Sequence, residues 1–351
     1  MRLPAGSSGA ALRLVAVFLA LLFTTGVLLL AGAPPLEAYR QIVTGSLGSV
    51  KKITDVLVTW VPLVLATSGL LVTFAAGLWN IGIEGQITLG AIFATGTLRL
   101  TLDSSLPPVV AIGAAILAGI AGGAVWALLA GLLKVYGGVN EIFGGLGLNF
   151  VAVALNVWLI FGPWGRPGVA SMSGTEPLPD FLSLPSLAGL RLSPWAVLLA
   201  VGGFALVFLL LQGTYFGLRL RAVGKNARAA FLLGVPTVRY MLLAFVLCGA
   251  LGGAAGAVQV TAVYHRLIPS ISSGYGYLGL MVAMLVNYQP LWMPAVAFFF
   301  AALNIGSIQL PIVLKLDSSL AGVLQGALVL FVLAVEGVRQ RLRRSPVKTA
   351  E

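Results

Sequence analysis

Few side chains in this chain of 351 residues are of a type that could do chemistry. There is one histidine, His265, and one cysteine, Cys248, so a zinc site of the usual His/Cys kind lacks ligands and no disulfide framework exists. No His pair, Ser/His set or paired carboxylates falls within the apolar stretches, which argues against an enzyme. The polar residues that remain sit in costly places. Trp79-Asn80-Ile81-Gly82-Ile83-Glu84-Gly85-Gln86 joins two apolar runs with no loop of turn-forming length, and its glycines weaken helix. Asn80, Glu84 and Gln86 need partners if they lie within a bilayer, where an acid near the centre costs about 2.5–3.5 kcal/mol. Two readings fit: a broken helix lining a path through the membrane, or a hairpin tip where Glu84 meets water.

A second Gly-rich entry, Ser272-Ser273-Gly274-Tyr275-Gly276-Tyr277-Leu278-Gly279, precedes a short apolar run ending at Asn287. Tyr275 and Tyr277 fit either an aromatic belt or the border of such a path. Asn149, Asn156, Gln259, Asn304 and Gln325 are amides inside apolar spans, where helix–helix hydrogen bonding is the ordinary role. Gly119 with Gly123, and Gly252 with Gly256, have the four-residue spacing that lets helix backbones approach.

The stretch 213–239 contains Arg219, Arg221, Gly224, Lys225, Asn226, Arg228, Ala229, Ala230, Gly234 and Pro236. Asn226 is a preferred N-cap, Ala227 to Leu233 are mostly good helix formers, Gly234 suits C′, and Pro236 prevents continuation. The pattern predicts a two-turn helix with small alanines beside a Phe-Leu-Leu edge. Two turns are unstable alone, so the helix must pack on the rest of the chain, on a partner, or on anionic headgroups. Gly224-Lys225 does not make a phosphate loop: Arg219 stands where the motif needs Gly, and Asn226 where it needs Ser or Thr. ATP-driven transport would need its ATPase on a separate chain. No cofactor is implied.

The elements that position these residues follow from composition. Apolar residues make up 59% of the chain and charged ones 9%, which no soluble core-and-surface arrangement accommodates. The expected fold is an all-α polytopic membrane protein of about ten transmembrane helices, some short or broken, over 12–33, 56–78, 80–98, 107–133, 141–162, 194–212, 240–263, 276–289, 290–308 and 318–337. Net charge is +11, but the basic residues lie in short loops between spans, which orients a chain in a membrane and does not suit nucleic acid. Most Lys and Arg face inward if both termini are cytoplasmic. The densest groups are Arg219 to Arg239 and the tail 338–351, with Arg339, Arg341, Arg343, Arg344 and Lys348. The expectation is a single transmembrane domain: anchor helix 12–33, first half 56–162, Pro-rich external loop 163–193, cytoplasmic loop 213–239, second half 240–337 and basic tail. Ala31-Gly32-Ala33 resembles a cleavage site, but the long apolar core and Pro34 favour a retained anchor. The order of span lengths in the two halves, entered from opposite sides, is that of an inverted repeat.

Several blocks also resemble permeases of ABC importers, of the simple-sugar and nucleoside type within the group containing branched-chain amino-acid permeases. They are Asn80-Ile-Gly82-Ile-Glu84-Gly85-Gln86, Gly138-Val139-Asn140-Glu141 leading to Asn149, Arg221-Ala-Val-Gly224-Lys-Asn226 with Ala229, Ala230 and Gly234, and Gly274-Tyr275-Gly276-Tyr277. The Asn-x-Gly-x-Glu-Gly block looks most like nucleoside-type members. The resemblance implies that 219–236 couples to an ATPase subunit. It further implies that an external binding lipoprotein delivers solute and that a second permease completes a heterodimer in the cell membrane. On it, Asn80, Glu84, Gln86, Asn149, Tyr275 and Tyr277 border the path. The competing reading is an ion-coupled secondary transporter using Glu84 or, less well, Glu141, neither with an obvious basic partner.

Overall fold

The computed structural model describes residues 7–166, 168, 174–286, 289–315 and 319–343, and among these it is helical with no strand. The elements are α1 (Ser7–Leu30), α2 (Pro35–Leu47), α3 (Val50–Ala75), α4 (Ile83–Thr101), α5 (Pro108–Val135), α6 (Glu141–Phe161) and α7 (Pro194–Gly213). They continue with α8 (Tyr215–Lys225), α9 (Ala227–Leu232), α10 (Thr237–Val258) running into a π-helical turn (Gln259–Tyr264), α11 (Tyr275–Leu285), α12 (Met293–Ser307), α13 (Gln309–Leu314) and α14 (Leu320–Arg343). Asn287, Arg344 and Lys348 lie outside the described residues.

Each expected span meets a helix, but the lengths differ. Six helical segments are long and apolar enough to cross a membrane alone, and α1 with α2, bent by 110°, makes a seventh if the pair counts as one span. Among the described residues, length and composition thus support six or seven spans, and the expected count of about ten is not confirmed. The shortfall has local causes: α4 carries Glu84 and Arg99 within 19 residues, and α11 has only 11. Three helices were not expected: α2, α8 and α13. Both α2 and α8 are short and amphipathic, with Glu37, Arg40 and Gln41 on the first and Arg219, Arg221 and Lys225 on the second, so they read as loops on hydropathy.

One compact unit comprises residues 54–298. Its centre is the packing of α4, α5 and α10. Gly119 and Gly123 of α5 meet Gly249 and Gly253 of α10, and Gly90 of α4 meets Gly253. A Cβ on Gly253 would overlap the Gly119 carbonyl oxygen, so these backbones touch with no side chain between them. Of the second expected glycine pair, Gly256 abuts the Ile87 carbonyl of α4 and Gly252 faces Ile83 and Gln86. The outer faces of α5, α6 and α7 carry large apolar residues, including Leu117, Phe150, Trp158 and Leu198, as a lipid-facing surface requires.

The described part of the 163–193 stretch is tied down by backbone hydrogen bonds. The N–H groups of Thr175, Leu178 and Leu184 donate to the carbonyls of Leu267 (2.9 Å), His265 (2.7 Å) and Thr261 (2.8 Å). Asn156 of α6 secures the same region, its Nδ2 donating to the Ile268 and Pro269 carbonyls at 2.9 and 3.0 Å.

The other unit comprises residues 1–53 and 299–351. Within it α1 packs on α14 and α2 on α13. Leu28, Ala33, Ala38, Ile42 and Leu310 form its core, and Tyr39 Oη bonds Thr24 Oγ1 at 2.8 Å. The small residues Ala31-Gly32-Ala33 make the bend between α1 and α2, with Gly32 at φ +72°.

Candidate functional site

The break between α3 and α4 is built by local rules. Gly77 takes φ +73°, its N–H donates to the Phe74 carbonyl, and the Leu78 N–H donates to the Thr73 carbonyl, so α3 ends in a Schellman motif. Residues 76–82 then form a non-helical connector before α4 starts at Ile83. Its backbone and amides find partners on distant elements.

Asn80 and Gln86 are fully buried and form a reciprocal amide pair, Nδ2 to Oε1 and Nε2 to Oδ1, both 3.1 Å. Asn80 Nδ2 also lies 3.1 Å from the Sγ of buried Cys248 on α10. Asn149 of α6 spans the start of α4, its Oδ1 accepting from the Gly85 N–H (2.8 Å) and its Nδ2 donating to the Ile81 carbonyl (2.9 Å). It thus caps α4 from another helix, one of whose first-turn N–H groups would otherwise be orphaned.

Glu84 is buried, and its carboxylate serves α11 from 193 residues away. Oε1 accepts from the Tyr277 N–H at 3.0 Å, with the Gly276 N–H and the Ser272 side chain facing the carboxylate. Those N–H groups open α11, where a helix favours negative charge. A hairpin tip with Glu84 in water is therefore overturned: the acid is enclosed and spent on a helix end.

The remaining expected residues divide. Tyr275 is buried, with its hydroxyl bonded to Thr59 of α3 and Gln259 of the π-helical turn. Tyr277 contributes its backbone N–H to the cluster while its side chain is 44% exposed. Glu141 does have a basic partner, against expectation: Lys134 Nζ lies 2.7 Å from its Oε2. Two polar atoms not singled out as site groups are buried here without a protein partner, Trp126 Nε1 beside Gly85 and Gln259 Oε1. The π-helical turn had no sequence signal, since one widened turn leaves the apolar pattern intact, yet such turns recur at functional sites.

The stretch 213–239 is more helical than a loop, holding α8, α9 and the start of α10. α9 has the expected caps. Asn226 Oδ1 accepts from the Ala229 N–H at 3.0 Å, and Gly234 at φ +82° closes the other end as the Val235 N–H reaches the Ala230 carbonyl. The two alanines differ: Ala229 is exposed and Ala230 is 3% exposed. Phe231, Leu232 and Leu233 are all exposed, beside the exposed residues Arg221, Lys225 and Arg228. Such a small apolar prominence rimmed by cations is more typical of a contact surface than of a free loop.

This chain is 30% identical to the glucose ABC transporter permease protein TsgB13 of Haloferax volcanii, over 92% of this chain and 87% of that one. It is 25% identical to the guanosine ABC transporter permease protein NupP of Bacillus subtilis over 93% of both chains. It is 24% identical to the nucleoside ABC transporter permease protein NupB of Lactococcus lactis, over 84% of this chain and 82% of that one. The family described as branched-chain amino acid transport system, permease component, matches residues 52–333, a stretch that holds the amide cluster, the Glu84 cap and both α8 and α9. With its helical architecture, its buried polar break and that match along most of its length, the chain belongs to the branched-chain amino acid transport permease family.

Proposed function

We propose that this chain forms the translocation path of an ABC importer for a small neutral solute, a nucleoside or a simple sugar. The observation that carries the solute class is a buried polar cluster made of amides and aromatics, with its one carboxylate already occupied at a helix end. A path of that chemistry hydrogen-bonds hydroxyls and ring nitrogens and offers little to an ion. The relatives named for glucose, guanosine and nucleosides support the same class. Asn80, Glu84, Gln86, Asn149 and Tyr275 border the path or hold its walls, with Tyr277 at its edge.

In this reading α8 and α9 dock on a separate ATPase subunit, through Arg221, Gly224, Asn226, Ala229, Ala230 and Gly234. A second permease completes the path as a heterodimer, and an external lipoprotein delivers solute to the side bearing the 163–193 loop. Both termini are cytoplasmic in the cell membrane. ATP-driven closure of the ATPases moves α8 and α9 and switches access; the chain itself does no chemistry. A secondary transporter would need the Glu84 carboxylate free to exchange protons, and here it is buried with Oε1 accepting from the Tyr277 N–H.

The test is purification of the tagged chain from native membranes in mild detergent, identification of stoichiometric partners, and uptake of labelled nucleosides and sugars by the reconstituted complex. Co-purification of an ATPase and a second permease, with saturable ATP-dependent uptake, is expected. A homo-oligomer with proton-driven uptake would refute the proposal.

A further inference from the structure

The bend after α1 leaves a short helix with one face that the protein does not cover. α1 runs for 24 residues, about 36 Å, which is enough to cross a bilayer without help from α2. Gly32, at φ +72°, with Pro34 and Pro35 then breaks the path. α2 leaves at a bend of 110°, so it lies within about 20° of the plane perpendicular to α1. One face of α2, made of Ala38, Ile42, Gly45 and Ser46, is buried. A Cβ on Gly306 would overlap the Ile42 carbonyl oxygen, and one on Gly45 would stand 2.6 Å from the Gln309 side chain, so α2 is seated closely on the segment around Gly306. On the other side Leu36, Val43 and Leu47 form one stripe at helical spacing, and all three are exposed, Leu36 to 83%. Polar groups edge that stripe: exposed Arg40 and Thr44, then Glu37, which accepts from Gln41 at 2.6 Å.

A second crossing does not suit this helix. Its 13 residues span about 20 Å, short of the hydrocarbon core, and an upright α2 would carry Glu37, Arg40 and Gln41 into lipid. Water does not suit the stripe, which would leave large apolar side chains in solvent. A bilayer surface suits both. The stripe continues the outward face of α1, where Leu29 and Leu30 are exposed, so it starts at the depth where α1 leaves the lipid. At the edge of the stripe Arg40 can lay its stem along apolar surface and hold its charge among headgroups. We propose that α2 is a membrane-surface helix whose partner is phospholipid. Leu36, Val43 and Leu47 enter the boundary between headgroups and acyl chains in the leaflet where α1 ends, and Arg40 meets phosphate. This surface is separate from the docking and path residues.

The experiment uses the full chain, purified with its native partners and reconstituted in vesicles of phosphatidylethanolamine and phosphatidylglycerol. Leu36→Cys, Val43→Cys, Leu47→Cys and, on the polar edge, Thr44→Cys each carry a nitroxide. Its collisions with oxygen, which concentrates in hydrocarbon, and with a water-soluble nickel chelate are read by electron paramagnetic resonance. Cys248 is buried, and the parent chain labelled in parallel supplies its background. Oxygen is expected to exceed nickel several-fold at 36, 43 and 47, with Thr44→Cys reversing the preference. The three stripe depths should agree within about 6 Å, the rise of a helix tilted by about 20° over that length. A depth that changes by about 16 Å from 36 to 47 would mean an upright helix and would overturn the proposal. Nickel dominating at all four positions would place the stripe in water and overturn it. So would exclusion of both reagents at 43 and 47, which would mean that a protein partner covers it. If one stripe variant does not accumulate, the depth difference between the other two still decides. Neither ATPase recovery nor solute uptake enters the result, so its failure leaves the proposed function untouched.

Discussion

Replacing Glu84 separates a structural carboxylate from a working one. Its Oε1 accepts from the Tyr277 N–H, with the Gly276 N–H and Ser272 facing the carboxylate, all at the entry to α11. Glu84→Ala strands the buried Tyr277 N–H, so a loss of about 1–3 kcal/mol is expected. Glu84→Gln leaves a neutral acceptor at the same reach. Hydrogen bonds to an ionised acceptor are about twice as strong as neutral ones, so Gln keeps about half the stabilisation and loses about 0.5–1.5 kcal/mol. Gly276→Ala approaches the same joint from the other side, since its Cβ would stand 3.0 Å from the carboxylate and 2.7 Å from the Ile83 side chain. The assay is thermal unfolding in detergent read by size exclusion, with solute uptake measured on the same preparations. Wild type, Gln and Ala should fall in that order in both, with Gly276→Ala resembling Ala. A Glu84→Gln protein as stable as wild type but unable to transport would refute the capping account, because only the negative charge or its proton would then be missing.

Three further outcomes are expected of this ABC permease subunit. Ala229→Glu, on the exposed face of α9, should insert normally but lose co-purification with an ATPase and ATP-dependent uptake; Ala230→Glu should destabilise α9 itself, because that side faces inward. Normal uptake in Ala229→Glu would refute the docking assignment. Burial holds the His265 imidazole below its ordinary 6.5, with Asp180 pulling it up and Arg191 pushing it down. A base held neutral in the docked loop loses ground to the opened form wherever the latter takes up a proton, so docking is fully favoured above about pH 6.5 and weakens below it. Hydrogen-exchange protection factors at Thr175, Leu178 and Leu184, taken against the intrinsic rate at each pH, should fall on acidification and stop doing so in His265→Asn, a residue that tolerates the φ of +51° at this site; unchanged pH sensitivity in that variant would refute it. Gly253→Ala should abolish stable expression, since its Cβ would overlap the Gly119 carbonyl and helix axes must part to admit it. Wild-type yield of that variant would show that the three helices are not in backbone contact.

What could be read from residues alone was what is decided locally. The caps of α9 lie within nine residues of one another, from Asn226 to Gly234, and each acts on its own turn. The break at Asn80 to Gln86 was legible because glycines and polar side chains interrupt an apolar run. Its partners were not. Cys248, Asn149 and the start of α11 lie 168, 64 and 193 residues away in the bonds concerned, and no spacing rule links such positions. Lys134 and Glu141 are close in sequence, but the turn between α5 and α6 decides that they meet. The expected count of about ten is not confirmed among the described residues because hydropathy scores apolar content, whereas crossing a membrane also needs uninterrupted length, which α11 lacks. The amphipathic α2 and α8 were passed over for the opposite reason, their polar faces lowering the average.

The seam among α4, α5 and α10 bears on how this chain can change over generations. A side chain that grows in an ordinary core is accommodated when a neighbour shrinks. At Gly90, Gly119, Gly123, Gly249 and Gly253 a side chain would meet the backbone of a facing glycine, which no substitution can shrink, with the Ala127 and Ala257 methyls alongside. No second substitution within the seam can compensate for a first, so a lineage that loses one of these glycines has only two routes: reversion, or a whole helix taking a new position. Variation in solute preference must therefore accumulate on other faces, and the seam is the fixed datum against which such faces drift.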